Sequence, residues 1–142
     1  MSKNNFISAS IITIHCLIGC IIGEFIGLVI GVTIGLSPMS TMILATILAF
    51  ITGMLLAILS VVRNHKVTYI LAAKTLWLGE IISISVMELA MNGTDYWIGG
   101  VSATSIFEPI FWIGFILAIP AGYIAALPVN YFLLKRNLKK CH

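Results

Sequence analysis

The hydrophobic residues of this chain fall into four long runs separated by short polar breaks. The first runs from about Phe6 to Leu36 with Glu24 as its only charge, and the second from about Thr41 to Val62 with none. The third, about Val67 to Ala90, contains Lys74, Glu80 and Glu88, and the fourth, about Pro109 to Leu134, is again uncharged. A helix that crosses a bilayer needs about 20 mainly apolar residues. Each run therefore predicts one transmembrane helix, the first with length to spare for tilt. The breaks carry turn chemistry: "SPMS" at 37–40, "RNHK" at 63–66, and the Gly- and Thr-containing stretch "MNGTDYWIGGVSATSIFE" at 91–108. The pattern predicts an all-α, four-transmembrane-helix bundle, with residues 1–142 forming a single domain and no linker.

Composition strengthens this reading. Hydrophobic residues make up 60 % of the 142 residues, charged residues 9 %, and the mean hydropathy is +1.10. A soluble domain carries roughly a quarter charged residues, so this chain cannot cover a globular surface, and the lipid bilayer is its expected partner. The net charge of +3 and the lack of a basic stripe interleaved with aromatics argue against nucleic acid. The apolar N-terminal run is too long for a signal-peptide h-region, so a retained helix is expected.

Charge placement sets the expected orientation. Lys3 precedes the first run, Arg63 and Lys66 lie between the second and third, and Lys135, Arg136, Lys139 and Lys140 follow the fourth. The other two loops hold no Lys or Arg but carry Asp95 and Glu108. By the positive-inside rule both termini are cytoplasmic and the 91–108 loop is outside. Trp97, Phe107, Phe111 and Trp112 cluster near that loop, as an interfacial aromatic belt would.

Two stripes mark the first helix. Gly19, Gly23, Gly27, Gly31 and Gly35 recur every four residues, forming a shallow groove that invites close helix packing by this chain or a second copy, so a homodimer is plausible. Beside them run Cys16, Cys20 and Glu24, also four apart and drifting about 40° per step, with His15 next to Cys16. A disulfide between Cys16 and Cys20 does not suit a regular helix. Buried thiols with an imidazole and a carboxylate suggest a soft-metal or proton site, and a carboxylate in hydrocarbon rarely lacks a purpose. On the third helix Glu80, Met87 and Glu88 supply candidate partners. Counted from Ile7 and Val67, Cys20 and Glu80 are each thirteen residues in, about 20 Å deep. Lys74 pairs with a carboxylate or snorkels. Pro120 and Pro128 in the fourth helix mark a candidate hinge. In the basic tail, Cys141 and His142 offer only a weak metal signal.

The stretches "HCLIGCIIGE", "SISVMEL" and "ALPVNYFLL" together resemble a family of small bacterial and archaeal membrane proteins built on a domain of unknown function. The resemblance implies a pattern HCxxGCxxGE, SIxxME and PVN, and points to His15, Cys16, Cys20, Glu24, Met87, Glu88 and Asn130. It also implies the cytoplasmic membrane of a prokaryote. The chain departs from the pattern at Met91, where an aspartate is expected, and at Tyr131, where an arginine is expected.

The favoured function is a small transporter or membrane binding protein for a soft transition-metal ion, Cu(I) foremost. The alternatives are a proton-coupled exporter of small solutes, using Glu24 and Glu80, and a non-catalytic helix-packing subunit of a membrane complex. No catalytic residues are assigned. A redox enzyme would need a quinone or haem site, which one intramembrane histidine barely supports.

Overall fold

The computed structural model describes residues 3–137, so Lys139, Lys140, Cys141 and His142 lie outside the described residues. It contains four long helices: α1 (Lys3–Thr33), α2 (Pro38–His65), α3 (Tyr69–Ile98) and α4 (Pro109–Lys135), with a short 3-10 turn at Gly100–Ser102. All four are long and apolar enough to cross a membrane. Each packs beside its neighbours in the chain, and α4 closes the ring on α1. α1 and α3 face each other across the diagonal, with few direct contacts.

Local chemistry sets the ends. Ser37 caps α2, its Oγ accepting from Ser40 N at 3.3 Å, and Pro38 takes the first turn, where its missing N–H costs nothing. α2 therefore starts three residues before Thr41. Lys66 ends it in the left-handed conformation at φ 52°. Thr68 caps α3, accepting from Leu71 N. At the end of α1, Gly35 has φ 74°, and Leu36 N donates to Gly31 O at 2.9 Å, a Schellman-type stop. Gly35 is thus a chain terminator for the helix. This corrects its expected place in the packing groove: it is exposed, and nothing lies within 4 Å of where its Cβ would be.

The other four glycines of the stripe pack against α2 of the same chain. A Cβ at Gly19 would lie 2.7 Å from Gly53 Cα. One at Gly23 would strike the Leu48 carbonyl and Thr52 Oγ1, one at Gly27 the Ala45 backbone, and one at Gly31 the Thr41 side chain. α2 answers with its own run of small buried residues four apart, Thr41, Ala45, Ala49, Gly53 and Ala57. Thr52 Oγ1 bridges the seam by donating to Gly19 O at 2.6 Å. Close backbone approach of this kind supplies the van der Waals contact that holds helices together in lipid.

α3 departs most from expectation. It continues through Ala90 to Ile98, so the first half of the expected 91–108 loop is helix. Met91, Asn92 and Asp95 extend the buried spacing of Ile84, Met87 and Glu88 along the same face. Gly93 is exposed and tolerated, and Gly99 ends the helix at φ 100°. α4 runs unbroken through Pro120 and Pro128, both exposed on its outward side. Lys74 is also exposed. Trp97 and Phe107 are among the most exposed large apolar residues, at 87 % and 88 %, and flank the α3–α4 connection.

Candidate functional site

The face of α1 next to its glycines points into the bundle. Cys16, Cys20 and Glu24 are all buried there, at 4 %, 0 % and 0 % exposure. Cys16 Sγ lies 3.8 Å from Ser83 Oγ of α3. Cys20, one turn on from Cys16, packs with it and with Ile84, Met87 and Met91 in one core cluster. The two methionines lie over Gly122 of α4, where a Cβ would sit 2.6 Å from Met91 Cγ and 2.8 Å from its Sδ. Two thiols and two thioethers therefore share one apolar interior. His15 is half-buried, and its Nε2 lies 3.5 Å from the Leu56 carbonyl oxygen of α2.

Beyond the sulfur cluster lie carboxylates. Neither oxygen of Glu24 has a hydrogen-bond partner. By the offset of the Cys16–Ser83 contact, Glu24 is level with Met91 of α3, between the buried Glu88 and Asp95. Glu88 is 2 % exposed; its Oε2 accepts from Asn92 Nδ2 at 3.1 Å, while its Oε1 is unpartnered. Asn92 Nδ2 also reaches Thr46 Oγ1 of α2 at 3.0 Å and the Glu88 carbonyl at 3.0 Å. Asp95 Oδ1 occupies a notch between Gly100 and Gly114, where any Cβ would collide with it, and it too is unpartnered. Glu24, Glu80, Glu88 and Asp95 are all buried, whereas no buried Lys or Arg occurs among the described residues.

The structure corrects the expected depth register. The Cys16–Ser83 contact joins residues 67 apart in sequence, and the starts of α1 and α3, Lys3 and Tyr69, show nearly the same offset. A count from Ile7 and Val67 pairs Cys20 with Glu80. The helices begin earlier on α1 and later on α3, so Cys20 instead meets the level of Met87. Glu80, one turn before Ser83, is level with Thr13 by the same offset. Thr13 and Asn130 form a separate polar link: Asn130 Nδ2 donates to Thr13 Oγ1 at 2.9 Å, and Thr13 Oγ1 donates to Ala9 O at 2.7 Å. This bond ties the PVN segment of α4 to α1.

Of the predicted site residues, Cys16, Cys20, Glu24, Met87 and Glu88 come together in the interior. Among the described residues, no three His, Cys, Asp or Glu side chains converge as metal ligands. Sequence reading missed Met91, Asn92, Asp95, Ser83 and Thr46 as interior groups. The signal for the first three was present in their spacing from Met87 and Glu88, but Gly93 read as a break.

Four apolar helices around a buried polar face define a multi-pass integral membrane protein. The chain belongs to the family described as Domain of unknown function (DUF4396), whose model matches residues 6–139. No curated protein and no solved structure matches the chain.

Proposed function

We propose that this protein carries small cations across the membrane in exchange for protons, with Glu24, Glu88 and Asp95 as the proton-holding groups. One observation supports the reading above all. The Glu24 carboxylate is fully buried, neither oxygen is hydrogen-bonded, and the same interior buries Glu88 and Asp95 but, among the described residues, no Lys or Arg. An uncompensated carboxylate in such surroundings costs several kcal/mol, and like charges nearby increase that cost. Each member of the trio therefore needs a proton or a cation, and exchange between the two is the basis of coupled transport. The spread of the acids, without a convergent ligand set among the described residues, favours protons over a fixed metal cage. From the Lys and Arg distribution we further infer that both termini lie on the cytoplasmic side.

Purified protein in liposomes, with a pH dye inside and a panel of monovalent organic cations outside, tests the reading. At least one cation should drive proton efflux, and Glu24→Gln should reduce it at least about tenfold while helicity is retained. If no cation gives Glu24-dependent proton movement, the reading fails.

A second reading retains the soft metal ion, Cu(I) foremost, on a specific observation: Cys16, Cys20, Met87 and Met91 pack in one buried cluster. Thiolate and thioether donors suit Cu(I). Elemental analysis of purified protein should then find bound copper that Cys20→Ser removes. Metal content at background in the wild type would dismiss this reading.

A further inference from the structure

A groove of about 580 Å³ opens between α2 and α3 on the outer surface of the bundle. Its rim is apolar and exposed, with Met39, Ile43, Ile47 and Leu89 at 61 %, 55 %, 52 % and 77 % exposure. Glu88 and Asn92, both more than nine-tenths buried, also line it, and Glu88 is its one charged residue. Each keeps an unpartnered acceptor, Glu88 Oε1 and Asn92 Oδ1. The amide orientation of Asn92 is fixed by chemistry. The Glu88 carbonyl, which can only accept, lies 3.0 Å from Nδ2, so Nδ2 is the donor and Oδ1 is left over.

We propose that this groove is the binding site for a lipophilic cation bearing N–H groups, which enters sideways from the bilayer and donates to Glu88 Oε1 and Asn92 Oδ1. The proposal rests on the cation-carrying function above and names its substrate class. An acyl chain, or the apolar face of a second copy's helix, would fill the volume but leave both buried acceptors without donors, a costly arrangement. A cation with an apolar body and N–H donors satisfies rim and floor together. The volume lies within the range of about 300–1,000 Å³ usual for small-molecule pockets. A guanidinium is the best geometric match, because its planar fork can donate to two neighbouring acceptors.

Two probes of similar size separate this from simple attraction of hydrophobic cations. Phenylguanidinium carries N–H donors; phenyltrimethylammonium carries the same charge and none. Calorimetric titration into protein in zwitterionic nanodiscs, with empty nanodiscs as blank, should show phenylguanidinium binding at least about tenfold tighter. Glu88→Gln should bring the two affinities close together. Ile47→Trp, on the exposed rim, should block both probes without disturbing the core. Equal affinities in the wild type, or a preference that survives Glu88→Gln, would overturn the proposal. So would efficient disulfide cross-linking of Ile47→Cys between copies in the bilayer, which would show a second copy seated there. The outcomes are separable from the transport test. Selective binding without Glu24-dependent proton movement overturns the function and leaves the groove; the reverse overturns the groove alone.

Discussion

Replacing Gly19 by alanine adds one methyl group to the tightest seam of the bundle. Its carbon would lie 2.7 Å from Gly53 Cα, 0.7 Å short of the 3.4 Å at which ordinary contact begins. The clash is with backbone, so no side chain can swing away, and α1 and α2 must separate locally. A radial gap of about 0.5–1 Å forfeits a quarter to a half of each van der Waals well. Over roughly 30 atom pairs of about 0.1–0.2 kcal/mol each, the loss is about 1–3 kcal/mol. Overpacked cores generally lose about 1–3 kcal/mol. Gly23→Ala and Gly27→Ala meet the Leu48 carbonyl and the Ala45 backbone still more closely, and should reach the upper end of that range. Gly93→Ala is the control: nothing lies within 4 Å, and relief of backbone entropy should stabilise α3 by about 0.5–1 kcal/mol. Reversible unfolding in mixed micelles, titrated with a denaturing detergent and followed by circular dichroism, reads all four free energies. Wild-type stability, within about 0.5 kcal/mol, for both Gly19→Ala and Gly27→Ala would refute the view that this seam holds the bundle together.

The Asn130–Thr13 bond should appear in a double-mutant cycle of Asn130→Leu and Thr13→Val as a coupling of about 0.6 kcal/mol, the average for interhelical bonds in lipid, and at most about 1.7 kcal/mol; a coupling near zero would make it incidental. Orientation is best tested at Thr104→Cys in a cysteine-free background, because Thr104 is exposed whereas Asp95 is 2 % exposed and a poor reporter. An impermeant thiol reagent should label it from outside the cell, and labelling from the cytoplasmic side alone would reverse the topology. Replacing Asp95 by the isosteric Asn puts an amide N–H in the Gly100–Gly114 notch in place of an unpartnered oxygen; proton movement should fall while helicity is kept, and unaltered coupling would remove Asp95 from the trio.

The four helices were legible because each apolar run exceeds the bilayer requirement, and Pro38 and the basic turn at 63–66 separate them unambiguously. The glycine stripe was legible as a packing face, but its partner was not. The matching small residues of α2, Thr41 through Ala57 at spacing four, carry the same signal, but only one of them is glycine, so the stripe stands out less in the sequence. The Cys16–Cys20–Glu24 face followed from spacing alone. The depth register did not, because hydropathy fixes helix ends only to within a few residues, and errors on two helices add. Six of the seven residues of misregister come from placing the starts at Ile7 and Val67 instead of Lys3 and Tyr69. The acidic end of the site was hidden for a different reason. Asn92, Gly93, Thr94 and Asp95 have the composition of a loop, and only tertiary burial of one face makes them helix.

The packing divides the bundle unequally, and the division passes through the acids. α1 with α2, and α3 with α4, share the most extensive contacts. The first pair is locked by glycine against backbone, the second by the Gly100–Gly114 approach and by Met91 against Gly122. Between the pairs the contacts are fewer, and the open groove lies on one of these boundaries, between α2 and α3. Glu24 belongs to the first pair; Glu88 and Asp95 belong to the second. The buried carboxylates are therefore divided between the two pairs, on either side of the less extensively packed boundary. Like-charged carboxylates across such a boundary push the pairs apart, and protons or a cation shared between them draw the pairs together. A link between the occupancy of the acids and the spacing of the two pairs is what the proposed carrier function requires, since a cargo can shift such an equilibrium only by interacting differently with its two states.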